Sequence, residues 1–492
     1  MKRFELLRFK CETITFTLAA VALACAGAAF SQPTITDLGT FPGGQVSSAL
    51  GVSGDGSVVV GYAPASGATA GMENLGVLPG SGSSNAPGDI FNLGTLGGTN
   101  SNGYAINEAG QVAGASSRVG DATGHAFRYS GTPGSGGAMV DLGTLGGEIS
   151  EAFGINDAGQ VAGASNPTGS GVFHAFRYTG TPGSGGAMAD LGTLGGTQSY
   201  GYGINDAGQV TGSSSTTGGP PHAFRYTGTP GSGGAMVDLG TLGGTYSYGY
   251  AINNAGQVAG ASPTTGPAIH AFLYTGTPGL GGAMVDLGTL GGEISSGNAI
   301  NDAGQVAGNS NPTGSGVFHA FRYTGTPGSG GAMVDLGTLG GTYSEGLGIN
   351  DAGFVVGYAE QSAAAGGSLV ATLWQTDAAN TAVDLEAWLD ATNPTLGAFW
   401  RLTVAQDINN NGLITGWGVY DDGPGGLSDG VRAYILDASS LVPEPSGLAL
   451  LGLALPALLR RRERRCSPAV LHFAANIARC LSVKFPFSPP AG

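Results

Sequence analysis

Five of the six histidines stand at one recurring position: His125, His174, His222, His270 and His319 each open the phrase His-Ala-Phe. Imidazoles repeated at a fixed interval could form a metal-binding ring. Their intervals of 48 or 49 residues place them in separate copies of a repeat, too far apart to share an ion unless all face a common channel. The plainer expectation is a histidine that fixes a turn or a strand start. A second candidate is Asp407-Ile408-Asn409-Asn410-Asn411-Gly412, which matches the first half of a calcium loop, with alternating oxygen side chains ahead of a turning Gly. Asp407, Asn409 and Asn411 are its candidate ligands. Gly418 occupies the place of the bidentate acid, and other copies read Ile155-Asn156-Asp157-Ala158-Gly159 here, a turn between strands. No other cofactor is expected.

Catalytic constellations are missing. Serine is abundant, yet each repeated His belongs to a pattern rather than to a unique site. Carboxylates for glycoside hydrolysis would have to come from Asp141-type positions, which recur in every unit. A catalytic site needs one special copy, so the expectation is that the chain is not an enzyme. The competing expectation is a secreted carbohydrate-active hydrolase or lyase on the same scaffold.

Charge narrows the partners. The chain carries a net charge of −15, but its basic residues crowd the ends. Residues 32–459 hold seven Arg and no Lys against thirty Asp and Glu, a net of −23. Such a body repels phosphate backbones and anionic membranes, and it has no Lys for a phosphate loop. Nucleic acid is not an expected partner. All four cysteines, Cys11, Cys25, Cys466 and Cys480, lie outside the repeats, so the body has neither disulfide nor thiolate chemistry.

The elements that must position these residues come from the repeat. The phrase Asp-Leu-Gly-Thr-Leu-Gly-Gly or a close variant starts at Asn92, Asp141, Asp190, Asp238, Asp286 and Asp335, with a degenerate copy at Asp384 and a divergent one at Asp37. Each unit, read from His-Ala-Phe-Arg-Tyr as its first strand, continues through a Gly/Pro loop, Ala-Met-Val-Asp, a Gly/aromatic-Ile-Asn segment and Gln-Val-Ala-Gly. That is four short strands divided by Gly, Pro, Asn and Asp turns, with no segment of the full unit long enough for a helix. Four strands in about 48 residues fit one blade of a β-propeller; the competitor is a β-solenoid. Small Gly and Ala in strand positions would let sheets approach face to face. Arg432-Ala433-Tyr434-Ile435-Leu436 matches the first strand with no copy after it, and Thr34–Tyr62 supplies the remaining strands. The two ends are expected to share a blade, giving eight, or seven if the divergent copy over 72–114 forms none.

The His-Ala-Phe phrases resemble the HAF repeat of extracellular bacterial proteins. The resemblance covers residues 90–360 most fully. It implies an exported repeat protein and carries no activity with it.

Both ends read as addresses. Residues 1–31 hold Lys2, Arg3, Arg8 and Lys10, an apolar stretch from Ile14 to Phe30, and small residues before Gln32, the layout of a secretory signal peptide. The propeller body is expected over 32–441. Residues 442–465 hold Pro443-Glu444-Pro445, a short apolar transmembrane segment from Gly447 to Leu459, and the basic cluster Arg460, Arg461, Arg462, Arg464 and Arg465. This tripartite tail resembles the PEP-CTERM sorting signal. The resemblance implies that an exosortase-type transpeptidase recognises Pro443, Glu444 and Pro445 at the inner membrane of a Gram-negative bacterium and passes the chain to the cell surface or extracellular matrix. Arg residues hold the cytoplasmic side while the apolar run sits in the membrane. Residues 466–492 extend beyond where such tails end and show no usable periodicity. The expected role is a surface or matrix protein, structural or binding, engaging exopolysaccharide or other glycans through Tyr200, Tyr202, Tyr246, Tyr248 and Tyr250.

Intact-mass and fractionation measurements on the native protein are expected to show loss of the first 31 residues and of everything after about Pro445. Full-length chain in the inner membrane would overturn this reading of the tail.

Overall fold

The structure, a computed structural model, describes residues 32–442 apart from 41–45, 65–71, 78–89, 121–122, 133–134, 315, 327, 422 and 424–429. The signal peptide, Pro443, Glu444 and Pro445, the apolar segment, the Arg460–Arg465 cluster and the 466–492 extension lie outside the described residues. Pro33–Val442 make one compact unit. Its described residues are 61% strand and 4% helix, an all-β chain as expected. No helix among them is long and apolar enough to cross a membrane.

Strands pair in antiparallel sets of four. In one repeat, Gly195–Ile204 pairs with Val210–Thr216, which pairs with Pro221–Thr229, which pairs with Ser232–Asp238. Equivalent sets begin at Ser48, Gly97, Gly146, Tyr248, Gly291, Gly340 and Trp400. A single parallel bridge, Ile269 to Ile294, joins two of them.

The observed sets cut the sequence differently from the expected unit. His-Ala-Phe-Arg-Tyr is the third strand of its sheet, not the first, and Asp-Leu-Gly-Thr-Leu-Gly-Gly is the passage from one sheet to the next. The chain ends meet in one set, but Thr34–Tyr62 does not supply all its missing strands. Of its strands only Ile35–Asp37 joins Gly430–Asp437, which pairs on its other edge with Leu413–Tyr420, itself paired with Trp400–Ile408. The reason is that Asp37-Leu38-Gly39 is itself a passage, so the chain has already left that sheet when it reaches Ser48–Val52. The divergent copy does form strands, Met72–Val77 and Ile90–Asn92, which complete the sheet of Ser48–Val52 and Val59–Pro64.

The core lies between sheets rather than within them. Ala162, Ala175 and Leu191 of one sheet enclose Val210, Phe224 and Tyr226 of the next, and the same grouping recurs along the chain. Phe224 and Tyr226 reach one face because they are two residues apart in a strand. Each Phe at this position, from Phe127 to Phe321, is fully buried, a contribution of about 2–3 kcal/mol each.

Glycine has two separate jobs in this packing. Gly201 faces the preceding sheet, where an added Cβ would sit 3.3 Å from the Gly163 carbonyl oxygen, as expected for sheets in close approach. Gly212 serves its own sheet instead: it pairs with Gly201 beside a register shift, and a Cβ there would overlap the Tyr200 carbonyl oxygen.

The degenerate copy adds what the repeat lacks, helices at Leu385–Thr392 and Pro394–Gly397. Asp384 caps the first by accepting a hydrogen bond from Ala387 N at 3.0 Å, and Leu385 and Leu389, one turn apart, are its buried face.

Gly212→Ala is expected to cost about 2–4 kcal/mol, because backbone must move to admit the methyl group. Gly218→Ala, at φ +67° with open space around it, is expected to cost about 1 kcal/mol. Equilibrium unfolding of the two variants separates the effects.

Candidate functional site

Every residue of His-Ala-Phe-Arg-Tyr has a structural partner. His174 Nδ1 lies 2.9 Å from Asp190 Oδ2. His125, His222, His270 and His319 meet Asp141, Asp238, Asp286 and Asp335 at 2.8–3.0 Å in the same way. Asp190 Oδ1 also accepts from Gly192 N at 2.7 Å, so the pair shapes the passage out of the fourth strand. Ala175 N donates to Ser199 Oγ at 2.8 Å, and Ser199 Oγ donates to Gly192 O at 2.6 Å, tying the next sheet to this turn. The Arg177 guanidinium donates to the carbonyls of Gly208 and Gly228 in the following sheet. Burial lowers its pKa, yet an arginine this far above neutrality keeps its charge.

The structure therefore gives each histidine its own carboxylate instead of bringing the five together. Among the described residues, no group of three or more His, Cys, Asp or Glu is placed to hold a metal ion. A serine does stand opposite each histidine in register, as Ser165 does to His174, a juxtaposition that sequence spacing hides. Its hydroxyl is occupied, accepting from Leu145 N at 2.9 Å and donating to Ile149 O at 3.0 Å. The Ser-His-Asp arrangement is thus a turn, with no free nucleophile.

A relay of side-chain amides runs through the Ile-Asn-Asp turns. Asn205 Oδ1 accepts from Gln209 N at 2.9 Å, and its Nδ2 donates to the carbonyl of Asn253 in the next unit at 2.9 Å. Asn107, Asn156, Asn253, Asn301 and Asn350 repeat the step, and Asn409 hands on to Ser53 O at 3.0 Å. All eight strand sets contribute to one cavity of about 330 Å³ beside these turns, lined by residues such as Ile204, Asn205 and Asp206. Burial, with Asp157, Asp55 and Asp206 nearby, raises the Glu108 pKa at its edge.

Two of the three calcium candidates, Asp407 and Asn409, line this cavity. Asp407 accepts from Ile408 N at 2.9 Å and Val52 N at 3.3 Å, and burial raises its pKa. Asn409 Oδ1 accepts from Asn411 N at 3.0 Å and Leu413 N at 2.9 Å, while Asn411 Nδ2 donates to Gly54 O at 2.8 Å. Asp407 closes the strand Trp400–Ile408 and Asn409 and Asn411 stand in the turn after it; the side-chain oxygens of Asp407 and Asn409 are already engaged by backbone amides.

The tyrosines do come together. Tyr104, Phe153, Tyr202 and Tyr250, from four successive sheets, form a row with ring centroids 6.1, 6.1 and 6.5 Å apart. Tyr200 stacks on Tyr202 at 6.3 Å and Tyr248 on Tyr250 at 6.2 Å; Tyr246 lies 5.5 Å from Tyr248, and Phe173 lies 5.8 Å from Tyr200. Spacing by two puts each stacked pair on one strand face. Tyr104 and Tyr250 are 38% and 40% exposed, so the row is open to solvent. Burial raises the phenol pKa values of Tyr104 and Tyr200, and Glu151 is close enough to both to add to the rise. The sequence reading named Tyr200, Tyr202, Tyr246, Tyr248 and Tyr250 and missed Tyr104, Phe153, Phe173 and Glu151. The available signal was an aromatic residue two places before the Ile of Ile-Asn in four consecutive copies.

One carboxyl outside the repeats is strongly perturbed. Burial, then the charges of Asp384 and Asp390, push Glu386 up to about 7. No protein-family model matches the chain, and no curated protein matches it.

The folded chain holds the Glu386 proton more tightly than the unfolded chain. The stability from this half-buried group is therefore complete below about pH 4.5 and is lost as pH rises through about 7. Glu386→Gln is expected to raise the melting temperature by about 1–2 °C at pH 8 and to leave it unchanged at pH 4, in thermal scans at both pH values.

Proposed function

We propose that this chain is an exported repeat protein whose body is an eight-bladed β-propeller, and that it acts at the cell surface or in the extracellular matrix by binding glycan. Exosortase-type processing at Pro443-Glu444-Pro445 would place it there after transient residence in the inner membrane. Three features support the propeller over a solenoid. Strand Ile35–Asp37 pairs with Gly430–Asp437, all eight strand sets border one cavity, and the amide relay passes from Asn409 to Ser53. A solenoid has two terminal coils that do not meet, and it leaves their edges to be capped.

The observation that carries the binding role is the aromatic row. Flat rings on successive sheets offer stacking surface to sugar rings, and an exposed patch of aromatics on a soluble face marks an interaction site. The repeated polar groups are consumed in holding sheets together, whereas the row keeps rings open to solvent.

A second reading, a carbohydrate-active hydrolase, has Glu386 in its favour, since a raised carboxyl in a unique copy suits a general acid. It ranks second because Asp384, the adjacent acid, caps a helix with Oδ1 and accepts from Gln361 Nε2 at 2.8 Å with Oδ2.

Replacing Tyr202 and Tyr250 together with Ala is expected to weaken retention by matrix polysaccharide about tenfold in affinity electrophoresis. Unchanged retention would remove the glycan role.

A further inference from the structure

We infer that the aromatic row selects amine-bearing sugars, an amino-sugar polymer with free ammonium groups, and that Glu151 is the residue that reads the amine. The inference rests on the glycan-binding role proposed above and adds the charge class of the ligand.

Glu151 sits on strand Gly146–Ile155, two residues before Phe153, so both side chains leave the same strand face. Phe153 stands between Tyr104 and Tyr202 in the row. Glu151 couples electrostatically to Tyr104 and Tyr200, which places its charge among the rings. Among the described residues its carboxylate has no ion-pair or hydrogen-bond partner. The Glu at the same place of another repeat's strand, Glu345 of Gly340–Ile349, is satisfied by the Tyr358 hydroxyl at 2.7 Å and the Tyr343 hydroxyl at 3.2 Å.

A half-buried carboxylate without a partner costs free energy unless a cation reaches it. Ring faces beside it attract the same cation through their quadrupoles. An ammonium group on a stacked sugar meets both demands, and each further ring along the row offers a platform to the next sugar. Anionic polymers are disfavoured twice, by Glu151 and by a body with seven Arg against thirty acids. A neutral sugar gains the stacking and leaves Glu151 unpaired.

The test is isothermal titration of the intact native protein with a glucosamine hexamer, its N-acetylated counterpart, polygalacturonate and hexalysine. The glucosamine hexamer is expected to bind about tenfold tighter than the N-acetylated one, with polygalacturonate unbound. Glu151→Gln, nearly isosteric, is expected to erase that difference and keep the N-acetylated affinity. Glu293→Gln, an exposed acid on another strand, is expected to change nothing. Equal affinity for both hexamers, or an equal loss in Glu293→Gln, would overturn the role of Glu151 while leaving the glycan site standing. Hexalysine bound as tightly as the sugar would overturn the sugar assignment. Absence of binding to every saccharide, with Tyr202→Ala equally inert, would overturn the glycan reading itself.

Discussion

A four-stranded sheet of about 48 residues cannot bury two faces by itself, and every feature of this chain follows from the need to lay one sheet against the next. The apolar side of that requirement is met by Phe224, Tyr226 and Val210 entering a shallow surface of Ala162, Ala175 and Leu191 on the neighbour. Large residues come from one sheet and small residues from the other, so the interface interdigitates at interior density. Because each contact joins adjacent copies, the residues that make it have to recur in every copy.

The polar side of the interface is equally repetitive. The passage between sheets exposes backbone groups where water has been excluded, and each must find a partner. Asp190 accepts from Gly192 N, Ser199 accepts from Ala175 N, and Asn205 accepts from Gln209 N while donating a hydrogen bond to Asn253 O. Residue types that resemble catalytic or metal-binding equipment are here because hydroxyl, amide, carboxylate and imidazole groups are what a buried turn needs. That is why a repeated Ser set in register opposite a His–Asp pair belongs to the turn, and why Glu151, with no partner among the described residues, stands out against the pattern.

The chain ends rebuild the same interface from different residues. Arg432 takes the place of the repeated histidine and bonds Asp37, a strand-four aspartate nearly four hundred residues away in sequence. Gly39 N, Ser47 Oγ and Ala433 N then repeat the turn found in every internal copy. Arg432 also lies 4.8 Å over the Tyr420 ring. An arginine and an aspartate buried together have a far stronger mutual demand than a histidine pair, since either one left alone is an uncompensated charge. The junction that no chain connection enforces thus has an Arg–Asp pair where the internal copies have His–Asp.

The period, the strand content and the turn chemistry were all readable from residue types alone, because Gly, Asn, Asp and alternating apolar residues act over two to four positions. Five tyrosines of the row and of the rings stacked on it were readable too, since Tyr200 and Tyr202 share a strand face by spacing. Where a sheet begins and ends was not readable: a repeat has no intrinsic start, and hydrogen bonding between strands decides that His-Ala-Phe-Arg-Tyr is third and that only Ile35–Asp37 crosses to the far end. The helices at Leu385–Thr392 and Pro394–Gly397 were likewise missed, since the repeat pattern gave no notice of a segment that abandons it. Tertiary structure alone set Phe153 between Tyr104 and Tyr202 and left Glu151 without a partner, because those contacts join copies 48 or 49 residues apart and depend on the distance between neighbouring sheets.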